Sequence, residues 1–186
     1  MVETQISAMR EAAEAALDKG FSVFALSPGT KIPRPRTHGH LDASAMPGDI
    51  EKLWNENPEY NPAVSCAASG LIVLDYDDGI PPSDLPKTYT VKTSRGLHLY
   101  FWGQMNGTKL YDETAKKVGE LKSADGYVLA AGARHPSGVF YEVVDDSPVA
   151  EAPLDIIALI TKKPDQTHSQ CHSPATRFRM AAMTLN

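Results

Sequence analysis

Several things are scarce in this sequence, and each scarcity removes a class of protein. Cysteine is nearly missing, with only Cys66 and Cys171 in 186 residues. Two distant thiols make no disulfide framework, so a reducing cytoplasm, bacterial or host, is the expected setting. No apolar run reaches the length of a membrane span. The N-terminus is alanine-rich and amphipathic rather than basic and then apolar, so no signal peptide is read there. No G-x-x-x-x-G-K-[ST] occurs, which excludes a P-loop nucleotide site. Internal repeats and low-complexity tracts are absent. Positive charge is not in excess either, because the formal net charge is −5. The chain as a whole therefore lacks the electrostatic footprint of a nucleic-acid binder, although a local basic groove beside an acidic cluster is compatible with that total.

What remains is a composition of 42% hydrophobic and 22% charged residues. That describes a soluble globular chain large enough for a real core, as one domain or one domain plus a tail. Its organising stretch is Leu71-Ile-Val-Leu-Asp-Tyr-Asp-Asp-Gly79. A short branched apolar run entering Asp-Asp-Gly reads as a buried strand that ends in a turn. Alternation puts Asp75 and Asp77 on one face and Tyr76 on the other. Two carboxylates so close repel unless a cation lies between them, and hard divalent magnesium or manganese suits oxygen donors. Asp78 alternates to the other face and reads as a solvated turn residue.

Along the chain, Ile6, Met9, Ala13, Ala16 and Leu17 make one stripe of a helix over residues 2–19, which Gly20 stops. Residues 21–26 alternate as a strand. Residues 27–36 form a basic, proline-broken loop in which Lys31 can reach over a site. Ile50, Leu53 and Trp54 mark a second helix, with Ser44 or Asp49 as its cap. His38 and His40 lack a third ligand nearby and read as turn or core-edge residues. Strands are expected over 62–68, 71–77, 89–93, 97–102, 119–122, 127–131 and 139–144. Residues 103–117 read as a loop, and 154–162 as a short helix packed on the sheet. The fold class is α+β, with helices outside a mainly antiparallel sheet. The domain spans 1–162 and a polar linker or tail 163–186, where 177–183 suggest the start of another helix.

Three further segments bring charge toward the aspartates. In Lys92 to Phe101, Ser94, Arg95 and Gly96 offer a hydroxyl, a guanidinium and close backbone approach, all suited to phosphate. His98 and Tyr100 then share a strand face. In Gly119 to Val128, Glu120 and Lys122 alternate onto one face. Arg134 and His135 stand on a hairpin. Together these make three carboxylates, a histidine and several cations, the set that holds a metal-bound triphosphate.

The order of these motifs resembles the bifunctional primase/polymerase (prim-pol) N-terminal domain family of the archaeo-eukaryotic primase superfamily. The resemblance covers roughly residues 5 to 160 and is carried by Ala25 to Pro33, His38 to Asp42, Trp54 before Asn61 to Ser65, Val73 to Asp77, Thr93 to Phe101, Gly119 to Tyr127 and His135 to Gly138. It implies an RRM-like antiparallel catalytic sheet packed with an N-terminal α/β part. It also implies template-directed nucleotidyl transfer by a DNA primase or DNA polymerase of phage or plasmid-type replication. By position, Asp75, Asp77 and Glu120 would ligate two Mg²⁺ or Mn²⁺ ions. His98 would bind the incoming triphosphate with Ser94, Arg95 and Lys122, and Arg134, His135 and Lys31 would lie near the nucleotide. The implied partners are a single-stranded DNA template, a primer, nucleoside triphosphates and a helicase domain or protein of the same system, with no membrane.

Three positions depart from the family pattern: Glu120 for an aspartate, Lys122 for an arginine, and Ser94-Arg-Gly96 for Ser-Gly-Gly. They bear on ligand geometry and nucleotide preference. His168, Cys171 and His172 in the tail lack a fourth zinc ligand, so a linker is the reading there. Two rivals stand. A haloacid-dehalogenase-type phosphatase would use Asp75 as nucleophile but leaves Glu120 and His98 without roles. A catalytically silent replication-initiator domain would bind nucleic acid through exposed sheet aromatics, for which Tyr76 and Tyr100 are the candidates.

Overall fold

The computed structural model describes residues 7–156 apart from Gly79, Glu113 and Ala115. The expected helix beyond 156, the tail with its His168, Cys171 and His172, the helix start at 177 and the boundary at 163 lie outside the described residues.

The chain opens with α1 (Ala8–Asp18), whose N-cap Ser7 Oγ accepts the Arg10 N–H at 3.2 Å. Its alanine stripe lets the helix lie close on the strands behind it, where Ala13 is fully buried. Strand β1 (Val23–Leu26) is buried along its whole length. A 3-10 turn (Gly39–Asp42) leads to α2 (Pro47–Glu56), which buries Ile50 and Trp54. Its N-cap is Met46, with no side-chain cap bond. Ser44 and Asp49 act differently from the expected cap: Ser44 Oγ accepts from Met46 N–H and donates to the Asp49 carboxylate at 2.6 Å. Proline at the first turn already dispenses with one of the donors a cap would satisfy.

Strand β2 (Asn61–Ser65) stops earlier than the alternation suggests. Ser65 Oγ accepts the Ala68 N–H, and Cys66–Ser69 turns into a short helix, α3, which Gly70 closes at φ +68. A helical side-chain bond and a left-handed glycine thus override the strand pattern over 66–68.

The remaining strands are β3 (Leu71–Tyr76), β4 (Thr90–Lys92), β5 (Leu97–Trp102), β6 (Thr108–Tyr111), β7 (Lys117–Lys122), β8 (Tyr127–Leu129), β9 (Glu142–Asp145) and β10 (Ala150–Glu151). Two sheets result. The small one runs β1-β2-β8 and the large one β6-β7-β3-β5-β4-β9, with β10 added on β5. Pairing is antiparallel throughout except for β10 on β5. The fold is α+β, with few helices against antiparallel sheets.

Two expectations about this region are corrected. Residues 103–117 contain β6, an edge strand paired to β7; its sequence is polar because only Leu110 is buried. Tyr76 and Tyr100 are buried, at 4% and 1% exposure, rather than exposed sheet aromatics. Tyr76 belongs to the core under the outer face of the large sheet, with Ile72, Leu74 and Phe101. Tyr100 belongs to the core between the sheets, stacked on Phe21 at 5.5 Å. Both rings are spent on packing.

Strand β3 lies at the centre of the large sheet. Leu71 and Val73 face the core between the sheets, and Asp75 is the next residue on that face. An apolar face that turns acidic at its last position marks where the core opens to solvent.

Candidate active site

The register of the large sheet assembles the site. Asp75 pairs with His98 on β5 and with Glu120 on β7. Cross-strand partners share a face, so the carboxylate, imidazole and second carboxylate form one row across three central strands. One step along, Val73 pairs with Tyr100 and with Lys122. The row borders a cavity of about 630 Å³ that reaches the small sheet through Tyr127, Val128 and Leu129. Lys31, Lys122 and Tyr141 also line it.

Asp75 accepts a hydrogen bond from His98 Nε2 at 3.2 Å, and the His98 side chain is 4% exposed. With the proton held on Nε2, the other ring nitrogen, Nδ1, has no partner among the described residues. Burial raises the Asp75 carboxyl, but the His98 hydrogen bond and the charges of His98, Lys122 and Lys31 outweigh it, and its pKa lies below the ordinary carboxylate value. Glu120 is held down to about 2 by hydrogen bonds from Lys117 and Lys122. Both carboxylates are therefore charged across the neutral range.

Asp77 follows the end of β3, and its N–H donates to the Val118 carbonyl at 2.8 Å, as does the Asp78 N–H at 3.1 Å. Arg95 reaches back to the Asp77 carboxylate at 2.7 Å. The turn carrying Arg95 is pinned by Thr93, whose Oγ1 accepts from the Arg95 and Gly96 N–H groups. Asp78 pairs with Lys116.

Lys117 was not legible as a site residue. Simple alternation sends residues 117 and 120 to opposite faces, but a register shift on β7 intervenes. Leu110 pairs with Gly119 whereas Tyr111 pairs with Lys117, leaving Val118 as the extra residue. Such a bulge re-aims the side chain beyond it. Lys117 Nζ consequently meets Glu120 Oε1 at 2.7 Å, while Lys122 holds the other oxygen.

Tyr141 was also missed. It is buried, packs edge-on against His98 (5.4 Å, 82°) and stacks on His135 (6.0 Å, 14°). Burial, with the Asp75 charge adding, pushes its phenol up to about 12, against an opposing hydrogen bond with Ser94. Tyr141 thereby joins three residues named from the sequence. Burial, together with the Lys31 and Arg95 charges, lowers the His135 pKa, so the imidazole is favoured in its neutral form near these two cations. Arg134 differs, since its side chain is exposed and does not line the cavity. His38 pairs with Asp42 at 3.1 Å in the 3-10 turn, and His40 stacks on Tyr127.

Asn61 carries the loop and hairpin that flank the site. Fully buried, it donates to the carbonyls of Thr30 and Arg134, both at 2.8 Å, and accepts the Arg134 N–H at 2.9 Å. Replacing it with leucine strands these backbone groups in the interior. Asn61→Leu should cost about 3 kcal/mol in a urea unfolding experiment, from one unpaired donor and weakened acceptors.

The donor chemistry suits a hard divalent ion, because Asp75 and Glu120 are cross-strand partners and Asp77 follows two residues beyond Asp75, all offering carboxylate oxygens. Asp77 and Glu120 are, however, turned to cations and Asp75 to His98, and among the described residues no three acidic, histidine or cysteine side chains converge as a ready ligand cluster.

An α+β domain with an acidic row and facing cations at a cleft between sheets is the architecture this chain presents. A family model described as bifunctional DNA primase/polymerase, N-terminal, matches residues 12–155. The chain belongs to that family. Comparison with curated proteins found no match. Among the described residues, no helix is long and apolar enough to cross a membrane.

Proposed function

We propose that this protein is a nucleotidyltransferase that extends a primer, or begins one, on a single-stranded DNA template. The observation that carries this reading is the row Asp75, His98 and Glu120 across β3, β5 and β7, opening on a cleft with Lys31 and Lys122, in a chain of this family.

Asp75, Asp77 and Glu120 would hold two Mg²⁺ or Mn²⁺ ions, which when bound neutralise the triphosphate and the attacking oxygen. The protein's own groups do the rest. His98, held by Asp75 and packed against Tyr141, offers the cleft a buried ring braced on two sides. Ser94, Arg95 and Lys122 bind phosphate oxygens, Lys31 extends that positive wall, and His135 adds a neutral imidazole beside it. The 3′-hydroxyl of the primer gives up its proton to solvent water and attacks the α-phosphorus in line. A new P–O bond forms, the bond to the β-phosphate bridging oxygen breaks, and pyrophosphate leaves with the charge. Walls of Tyr127, Leu129 and Tyr141 limit water at the reacting atoms. The phage or plasmid setting and a helicase partner belong to this reading.

The test is extension of a primed single-stranded template with Mg²⁺ or Mn²⁺, beside an Asp75→Ala/Asp77→Ala variant. Extension that disappears in the variant supports the reading. A folded wild type that binds template without extending it, with either metal, returns the protein to a silent binding module. The burial of Tyr76 and Tyr100 already removes the aromatic surface such a module would use.

A further inference from the structure

The acidic row raises a physical difficulty that its own ion pairs resolve. Three carboxylates at neighbouring positions would repel, yet two are ion-paired with local cations. Asp77 has Arg95 and Glu120 has both Lys117 and Lys122. A divalent ion can reach these oxygens only where a cation leaves them.

We propose that Arg95 and Lys117 are exchangeable counter-ions: each neutralises a carboxylate in the nucleotide-free protein, and each turns to the triphosphate when a divalent ion takes that carboxylate. This rests on the nucleotidyl-transfer reading of the cleft and adds roles to it, since nothing else assigns one to Lys117.

Three features support the exchange. The pairs are exposed, with Arg95 at 72% and Lys117 at 44% side-chain exposure, so solvent screens each pair and it breaks readily. Glu120 has two lysines where one would neutralise it, which leaves Lys117 in surplus. The backbone beneath each cation is fixed. Thr93 pins the turn under Arg95, and the Val118 bulge, gripped by the N–H groups of Asp77 and Asp78, fixes Lys117. The side chains can therefore swing from carboxylate to phosphate without moving the strands. Metal and triphosphate then assist each other, because each removes the competitor of the other, and the coupling is reciprocal.

The experiment measures Mn²⁺ binding by the intact protein through electron paramagnetic resonance of the free ion, with and without a non-hydrolysable nucleoside triphosphate. No turnover is needed. Arg95→Gln and Lys117→Gln remove counter-ions. Lys52→Gln serves as the control, because Lys52 is an exposed lysine of α2 that does not line the cavity and makes no carboxylate contact among the described residues. Without nucleotide, Arg95→Gln and Lys117→Gln should bind Mn²⁺ about 3- to 5-fold more tightly than wild type, while Lys52→Gln stays within about 2-fold. The gain in Mn²⁺ affinity on adding nucleotide should shrink in the first two variants. Equal tightening in all three overturns the exchange and leaves only general electrostatics, with the nucleotidyl-transfer reading intact. No tightening in Arg95→Gln and Lys117→Gln overturns it as well. Failure of the wild type and every variant to bind Mn²⁺ overturns the exchange together with the two-metal reading.

Discussion

Asp75→Asn is expected to lower nucleotide incorporation by about 10³-fold, or ~4 kcal/mol of transition-state stabilisation, while the protein stays folded. The separation follows from the position of the side chain. Asparagine has the shape of aspartate, and its carbonyl oxygen can still accept the His98 Nε2–H at the present 3.2 Å spacing. Stability should therefore change by about 1 kcal/mol or less, the difference between a charged and a neutral acceptor. The loss falls on the negative charge that faces His98 and Glu120 across the sheet. Single-turnover primer extension, run beside thermal unfolding, reads both quantities. A folded Asp75→Asn variant that incorporates nucleotides at the wild-type rate would remove Asp75 from the chemistry.

The second large effect is on stability and comes from two glycines. A Cβ on Gly119 would lie 2.1 Å from the Asp75 carbonyl oxygen, and one on Gly96 would lie 1.9 Å from the Tyr76 carbonyl oxygen. Both obstacles are backbone of the central strand, which no side-chain rotation relieves. Either the flanking strand moves outward or β3 shifts. Moving a strand breaks the ladder on which the acidic row depends. Gly119→Ala and Gly96→Ala should each cost on the order of 4 kcal/mol, at the upper end of overpacking penalties. Urea unfolding measures this, and Gly48→Ala in α2, where nothing lies within 4 Å, is the control, with an effect of about 1 kcal/mol or less and in the stabilising direction. Near-native stability in the two variants would mean that the strands on either side of β3 are more compliant than the contacts indicate.

The face shared by Asp75, His98 and Glu120 was legible because a strand's side-chain period of two survives tertiary packing. The family signal in residues 25–138 was legible for the same reason, since its motifs sit on strands and tight turns. What escaped notice depended on pairing between distant segments. The face of Lys117 is set by a bulge that exists only against β6, and β6 has too few apolar residues to announce itself. Strand β10, at Ala150–Glu151, is defined by its partner β5 and by nothing in its own two residues. Tyr76 and Tyr100 show the opposite error. Alternation assigned them to opposite faces correctly, but whether a face is covered depends on what packs over it. Asn61 is a polar residue in an apolar run, and its signal is that a buried amide must find partners. Which backbone groups those are depends on where residues 30 and 134 come to lie.

The small sheet sets the order in which this protein can be made. Its strands β1 and β2 come early, but the neighbour that completes β2 is β8, at Tyr127–Leu129. Throughout synthesis of the large sheet's centre, one edge of β2 has no strand beside it, and the wall of the cleft formed by Tyr127 and Leu129 does not exist. Closure of such a long-range pair slows folding relative to the local hairpins that precede it. On the ribosome, Asp75 and His98 should meet before the cleft has two sides. A nascent chain released before residue 129 would display the acidic row on an open sheet with no enclosed place for a nucleotide.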